Sequence, residues 1–307
     1  MLIQSLTIAT RESPLALWQA HFIKNKLLAQ HPDLKIKLLE LKTTADKMLN
    51  LPLDKVGGKG LFVKELEEAL LDRRADIAVH SMKDVPMELP NGLCIPVMIE
   101  REEARDAWVS SWFPNIKDLK ASARIGTSSL RRQSQLLAQY PDLQIIQLRG
   151  NVNTRLRRLD SHEFDGIILA AAGLHRLNLN ERIASLFSLE QMLPAAAQGI
   201  LGIECRTEDK AIQELITPLQ HTASFLCATA ERALCKRLGG NCQVPVGAYA
   251  EIREDQIFLT GLVARPDGKV ILRALHKMEL KNAEELGVFV GNELLKQGAE
   301  LILSNLV

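Results

Sequence analysis

Residues 239–247, GGNCQVPVG, hold a thiol in a turn: two glycines and an asparagine precede Cys242, and Pro245 follows. Such residues bend a chain and keep it near the surface, whereas cysteine is usually buried. Cys94, Cys205, Cys227 and Cys235 lie in apolar or helical runs that suit inert packing. With no CxxC pair, the five cysteines support neither a disulfide framework nor a zinc ribbon, and no metal is expected. Cys242, held out on a tight loop, is the odd one among the five.

A second group of residues is cationic. TSSLRR, residues 127–132, puts Thr127, Ser128 and Ser129 where a strand becomes a helix, followed by Arg131 and Arg132. Free backbone N–H groups, the helix dipole and two guanidiniums make an anion site there; the plain alternative is an N-cap followed by solvated arginines. LRGNVNTRLRRL, residues 148–159, repeats the device with Arg149, Gly150, Asn151 and Arg155, and Arg176 follows AAGL at a third junction. Arg11 comes directly after the first strand. Arginine forks pair with carboxylate or phosphate in bidentate fashion, so the ligand of such a set is polyanionic.

HSMKDVP, residues 80–86, closes an apolar strand with Ser81, Lys83 and Asp84. A carboxylate among cations stays ionised and can accept a proton or offset a developing positive charge. A surface Asp–Lys pair is the plain alternative. DKVGGKGLF, residues 54–62, is glycine-rich and basic but lacks the Walker spacing; Lys55, Gly57, Gly58, Lys59 and Phe62 read as a lid, or as a plain flexible loop.

The elements that must position these residues alternate. Strands are expected at 5–10, 35–42 and 76–82, with a helix capped by Ser13 and Pro14 running to about 31 and another at 61–74. The pattern repeats after Arg105: strands at 123–127, 144–149 and 166–170, each followed by a helix, then a strand-like run at 193–206. Alternation implies mostly parallel sheets with ligands at the strands' C-terminal ends, and a cleft between two α/β lobes. From about 221 a helix leads into the Cys242 loop, followed by three strands and a closing helix, an α+β domain with an antiparallel sheet.

The bulk numbers fit. The 307 residues are 47% apolar and 24% charged, with net charge +1, which leaves no global field for nucleic acid. There is no basic n-region before an apolar stretch and no run long enough to span a membrane, so the chain is expected to be cytoplasmic, with reduced thiols.

ATRESPLAL, GGKGLFVKELE, HSMKDVP, IGTSSLRR, LRGNVNTRL, AAGLHRL, PAAAQG and GGNCQVPVG, in that order, resemble the porphobilinogen deaminase (hydroxymethylbilane synthase) family over essentially the whole chain. The resemblance implies two periplasmic-binding-protein-like (type II) lobes around a cleft, at 1–99 with 200–218 and at 100–199, plus a smaller C-terminal α+β domain at 219–307. It implies a transferase of tetrapyrrole and haem biosynthesis. Four porphobilinogen molecules condense head to tail, with loss of ammonia, onto a covalent dipyrromethane primer, and hydroxymethylbilane is released by hydrolysis. The primer's thioether would be on Cys242. Asp84 would be catalytic, and cofactor and substrate would be held by Arg11, Ser13, Ser81, Lys83, Thr127, Ser128, Ser129, Arg131, Arg132, Arg149, Gly150, Asn151, Arg155, Arg176, Gln198 and Gly199. Its substrate would be porphobilinogen; no segment reads as an exposed apolar face, so a monomer is expected, and charge and hydropathy point to neither nucleic acid nor membrane as a partner.

Two other classes use parts of this set. A two-lobed anion-binding or sensor protein needs the arginines but neither Asp84 nor a loop thiol. A cysteine hydrolase needs a histidine base, and none of the seven histidines lies in the cysteine loop.

Overall fold

The computed structural model describes residues 3–43, 63–239 and 244–304. The expected lid residues Lys55, Gly57, Gly58, Lys59 and Phe62, and the expected anchor Cys242, lie outside them. The described chain is α/β, in two compact units. One comprises residues 1–101 and 200–225, the other 102–199 and 226–307.

In the first unit, β1 (Ser5–Arg11), α1 (Pro14–Gln30) and β2 (Lys35–Leu41) follow the expected order. Ser13 caps α1 by accepting from the Ala16 N–H at 3.3 Å, with Pro14 in the first turn. α2 (Lys64–Leu71) then leads to β3 (Ile77–Ser81) and β4 (Leu93–Met98). β1 pairs parallel with β2 and β3. The later strand β10 (Leu201–Arg206) is inserted antiparallel between β3 and β4, giving the order β2-β1-β3-β10-β4. The expected mostly parallel sheet is thus mixed. α1 and α6 (Lys210–Ile216) cover one face through Ile23, Leu27, Ile212 and Ile216. α2 covers the other through Leu66, Ala69 and Leu70, packed with Ala9 and Ala78.

The second unit builds its first sheet from β5 (Asp106–Val109), β6 (Arg124–Gly126), β7 (Gln144–Ile146), β8 (Gly166–Ala170) and β9 (Ser185–Leu186). Their order is β7-β6-β8-β5-β9, again with a parallel half (β7-β6-β8) and antiparallel pairing at β5. α3 (Leu130–Gln139), α4 (Val152–Asp160) and α5 (Ala171–Arg176) start at the three strand ends that sequence singled out. β7 stops at Ile146, three residues before Arg149, which was expected to end it. Its partner among the described residues, β6, offers a ladder no longer than Arg124–Gly126.

α7 (Thr222–Arg237) precedes the C-terminal sheet, an antiparallel β11 (Val246–Arg253), β12 (Gln256–Ala264) and β13 (Ile271–Glu279). The single closing helix expected at the C-terminus is two, α8 (Ala283–Lys296) and α9 (Ala299–Ser304). Gly298 separates them with φ +100, a left-handed conformation that suits glycine and ends a helix. No helix among the described residues is long and apolar enough to cross a membrane.

Candidate active site

In the first unit the parallel strands β1 and β3 end side by side, at Arg11 and Ser81. Arg11, Ser13, Gln19, His80, Ser81 and Asp84 line one pocket there. Gln19, buried on α1, donates through Nε2 to Ser81 Oγ at 2.8 Å and ties the helix to the strand end. One 3-10 turn, Met82–Asp84, follows β3; Met82 is buried, which leaves Lys83 and Asp84 half-buried on the outer side. A carboxylate and a guanidinium therefore share a small concave site. It offers an anion acceptor for N–H groups and a fork for carboxylates. Lys83 belongs to the same turn but is not part of the lining.

In the second unit the hydroxyl triplet shapes the start of α3. Thr127 Oγ1 accepts from the Ser129 N–H at 3.1 Å, Ser128 Oγ donates to the Leu148 carbonyl at 2.9 Å, and Ser129 caps the helix. Arg131 and Arg132, expected as anion ligands, are turned inward onto Asp106, the first residue of β5. Arg131 Nη1 reaches Asp106 Oδ2 at 2.8 Å and the Leu193 carbonyl at 2.7 Å. Arg132 reaches Asp106 Oδ1 through Nη2 at 2.7 Å and Nε at 3.2 Å, and the Ile168 carbonyl at 2.8 Å. Gln198 Nε2 joins them at 3.0 Å from Asp106 Oδ1, and also bonds the Ala104 carbonyl at 2.7 Å. Burial alone would push the Asp106 carboxyl up, but the two guanidiniums more than offset it and hold it well below the usual carboxylate range.

Arg176 is buried against the Gly199 carbonyl, 2.6 Å from Nη2. Desolvation lowers its pKa to about 10, partly opposed by Glu102. Arg149 and Arg155 are half-buried. Asn151 caps α4 by accepting from the Thr154 N–H, and Arg155 Nε donates to the Gly150 carbonyl at 2.7 Å. The turn holding Gln198 and Gly199 is pinned by Glu231 of α7, which accepts from the N–H groups of Ala197 at 2.5 Å and Ala250 at 2.6 Å.

Sequence reasoning missed Gln19, Asp106 and Glu231. Gln19 could have been found as a polar residue between Trp18 and Ala20 in an apolar helix; Asp106 follows Arg105 and Glu231 precedes Arg232, so neither stood out from its neighbours. The four cysteines assigned to packing are free thiols. Cys205, Cys227 and Cys235 are buried and Cys94 partly so. Burial pushes Cys205 and Cys235 up to about 12, so neither is a nucleophile at neutral pH.

Comparison with known proteins bears on what the arrangement is for. The family model described as "Porphobilinogen deaminase, dipyromethane cofactor binding domain" matches residues 6–214, and that described as "Porphobilinogen deaminase, C-terminal domain" matches residues 225–296. Among solved structures, a periplasmic substrate-binding protein of an ABC transporter from Coxiella burnetii is similar at 14% identity and TM-score 0.45, over 74% of this chain and 96% of that one. The periplasmic aliphatic sulphonate binding protein from Escherichia coli is similar at 13% identity and TM-score 0.41, over 76% and 70%.

Proposed function

The chain belongs to the porphobilinogen deaminase family, and from that premise we propose that the pocket at the ends of β1 and β3 is where its reaction runs, with Asp84 as the acting charge and Cys242 as the cofactor's anchor. The enzyme is a transferase, a hydroxymethylbilane synthase. It condenses four porphobilinogen molecules head to tail with loss of ammonia and releases the linear tetrapyrrole by hydrolysis. Its cofactor is dipyrromethane, which when bound supplies a covalently held primer whose rings carry acetate and propionate groups.

The observation that carries the site reading is that Arg11, Ser81 and Asp84 line the same pocket. The donor set fits the cofactor and the substrate alike. A guanidinium pairs with ring carboxylates, and one carboxylate accepts from pyrrole N–H groups. When the aminomethyl C–N bond of porphobilinogen breaks, ammonia leaves and a cationic methylene pyrrole remains. Asp84 beside the ring nitrogen offsets that charge without moving, which is how preorganised groups lower a barrier. Lys83 and Arg11 balance carboxylates around the same ring.

In the second unit, Arg149, Arg155 and the Thr127, Ser128 and Ser129 hydroxyls are proposed partners of the remaining carboxylates, with Gly150, Asn151 and Gly199 shaping the backbone. Arg131 makes its bonds through Nη1, which leaves Nε and Nη2 for a ligand; Arg132, Arg176 and Gln198 hold the frame around it. The three domains, 1–99 with 200–218, 100–199 and 219–307, belong to the same proposal, supported by the separate C-terminal sheet. So do the monomeric state and the cytoplasmic location, the latter supported by the free thiols among the described residues.

Intact-mass spectrometry of denatured protein tests the anchor. The wild-type protein and Cys205→Ser should carry the dipyrromethane adduct, and Cys242→Ser should not. An adduct on the Cys242 variant would overturn the assignment.

A further inference from the structure

Behind the pocket wall, Glu67, His80 and Glu204 lie buried in a layer whose apolar residues are mostly alanine and leucine. β3 and β10 run antiparallel with Ala78 opposite Glu204 and His80 opposite Gly202. The pleat puts Ala78, His80, Gly202 and Glu204 on one face, the face that α2 covers. Glu67 of α2 joins them: it is 8% exposed, His80 5% and Glu204 0%. His80 Nε2 lies 2.8 Å from Glu204 Oε2. Glu67 Oε1 and Glu204 Oε1 are buried with no hydrogen-bond partner among the described residues.

Burial and then Glu204 push the Glu67 carboxyl up to about 7, while His80 pulls the other way. Ionised, Glu67 would put a further negative charge beside Glu204 in a layer that excludes water. A buried net charge is costly, so the trio retains the proton and Glu67 is where it sits. Other charged groups lie near this layer, and Arg206 Nε is buried without a hydrogen-bond partner among the described residues. Arg206, further along the same face of β10, is bonded to the Leu70 and Ala75 carbonyls and to Asp209, with Asp76 beyond. Glu65 and Glu68 flank Glu67 in sequence, and Glu68 faces Lys64 at 3.8 Å. β1 and the turn after β3 bring Arg11 and Asp84 to the pocket, and α1 brings the neutral Gln19. His80 belongs to both sets, since it also lines the pocket.

We propose that Glu67, His80 and Glu204 act as one proton-holding unit behind the Asp84 pocket, with His80 as the positioning residue that carries its charge state to the wall. Release of the held proton makes the wall anionic and weakens binding of the carboxylated substrate. This rests on the reading of the Asp84 pocket as the reaction's site. One added charge several ångströms from a substrate carboxylate should raise KM about three- to tenfold at nearly constant kcat.

The test uses the holoenzyme. Steady-state kinetics from about pH 6 to about pH 9 should show KM rising through the Glu67 titration, and Glu67→Gln, which keeps the neutral shape, should match wild type at the low end and stay flat. A Glu67→Gln profile that rises as wild type does, or a wild-type KM without a rise, overturns the proposal. Carboxyl NMR on wild-type protein with isotope-labelled glutamate gives a readout without turnover or a variant. One buried carboxyl should titrate near neutrality; if none does, the unit does not hold a proton. Failure of the pocket reading is distinguishable, because Asp84→Asn would then turn over at the wild-type rate while that carboxyl still titrated.

Discussion

Arg132 forks onto Asp106: Nη2 at 2.7 Å and Nε at 3.2 Å both reach Oδ1 of a carboxylate with no exposed surface. Breaking a buried ion pair from one side leaves an uncompensated charge, at a cost of about 3–5 kcal/mol. Asp106→Asn, which faces two buried guanidiniums, should lose that much stability in urea denaturation at neutral pH. A loss under about 1 kcal/mol would mean that the arginines find other partners. The Asp106 carboxyl is held below its ordinary range, so the stabilisation is present above the unfolded-state value and is lost as pH falls below it. Arg132→Leu should show the same class of defect, and its turnover must be read on folded protein.

Glu67 gives the opposite sign. Its folded pKa is raised to about 7, so its contribution is full below the unfolded glutamate value and disappears as pH rises through neutrality. The span is on the order of 3 kcal/mol. Unfolding free energies of Glu67→Gln should lack this component, so that wild type and variant converge at low pH and separate above neutrality. Parallel curves would show that Glu67 does not titrate in this window.

Gly150 adopts φ +107, and a Cβ there would meet the Thr154 side chain at 2.8 Å. Gly150→Ala combines left-handed strain with a clash at the start of α4, and should cost on the order of 1–3 kcal/mol. It should also disturb the Gly150 carbonyl that accepts from Arg155. Thermal unfolding and the substrate KM would register the two effects separately. An unchanged melting temperature would mean that the turn relaxes freely.

Where signals are local, the sequence was readable. Ser13–Pro14 marks the start of α1 and Asn151 that of α4, because caps and turns are decided within a few residues. The Asp84 pocket was legible for the same reason: Arg11 and Ser81 close strands, and Asp84 comes one turn after Ser81. Strand limits were not, since pairing decides them. β7 stops where β6 stops. The run from 193 becomes a strand only at Leu201, after Ala197 takes φ +57 with its N–H held by Glu231. β4 escaped notice because Pro96 interrupts it; at the sheet edge, as among the described residues here, a strand tolerates proline. The partner that draws Arg131 and Arg132 inward was hidden by distance: Asp106 is 25 and 26 residues from them.

Single-turnover kinetics on Asp84→Asn and Asp84→Glu, with cofactor content checked by mass, test most directly whether the Asp84 charge drives the reaction. Asparagine keeps the size and an acceptor but loses the charge, and should be slower than wild type by about a hundred- to a thousandfold. Glutamate keeps the charge one methylene away and should retain measurable turnover, faster than asparagine. An asparagine variant that deaminates porphobilinogen faster than the glutamate variant would show that Asp84 acts by shape or hydrogen bonding, and would contradict its role as the charge that offsets the cation.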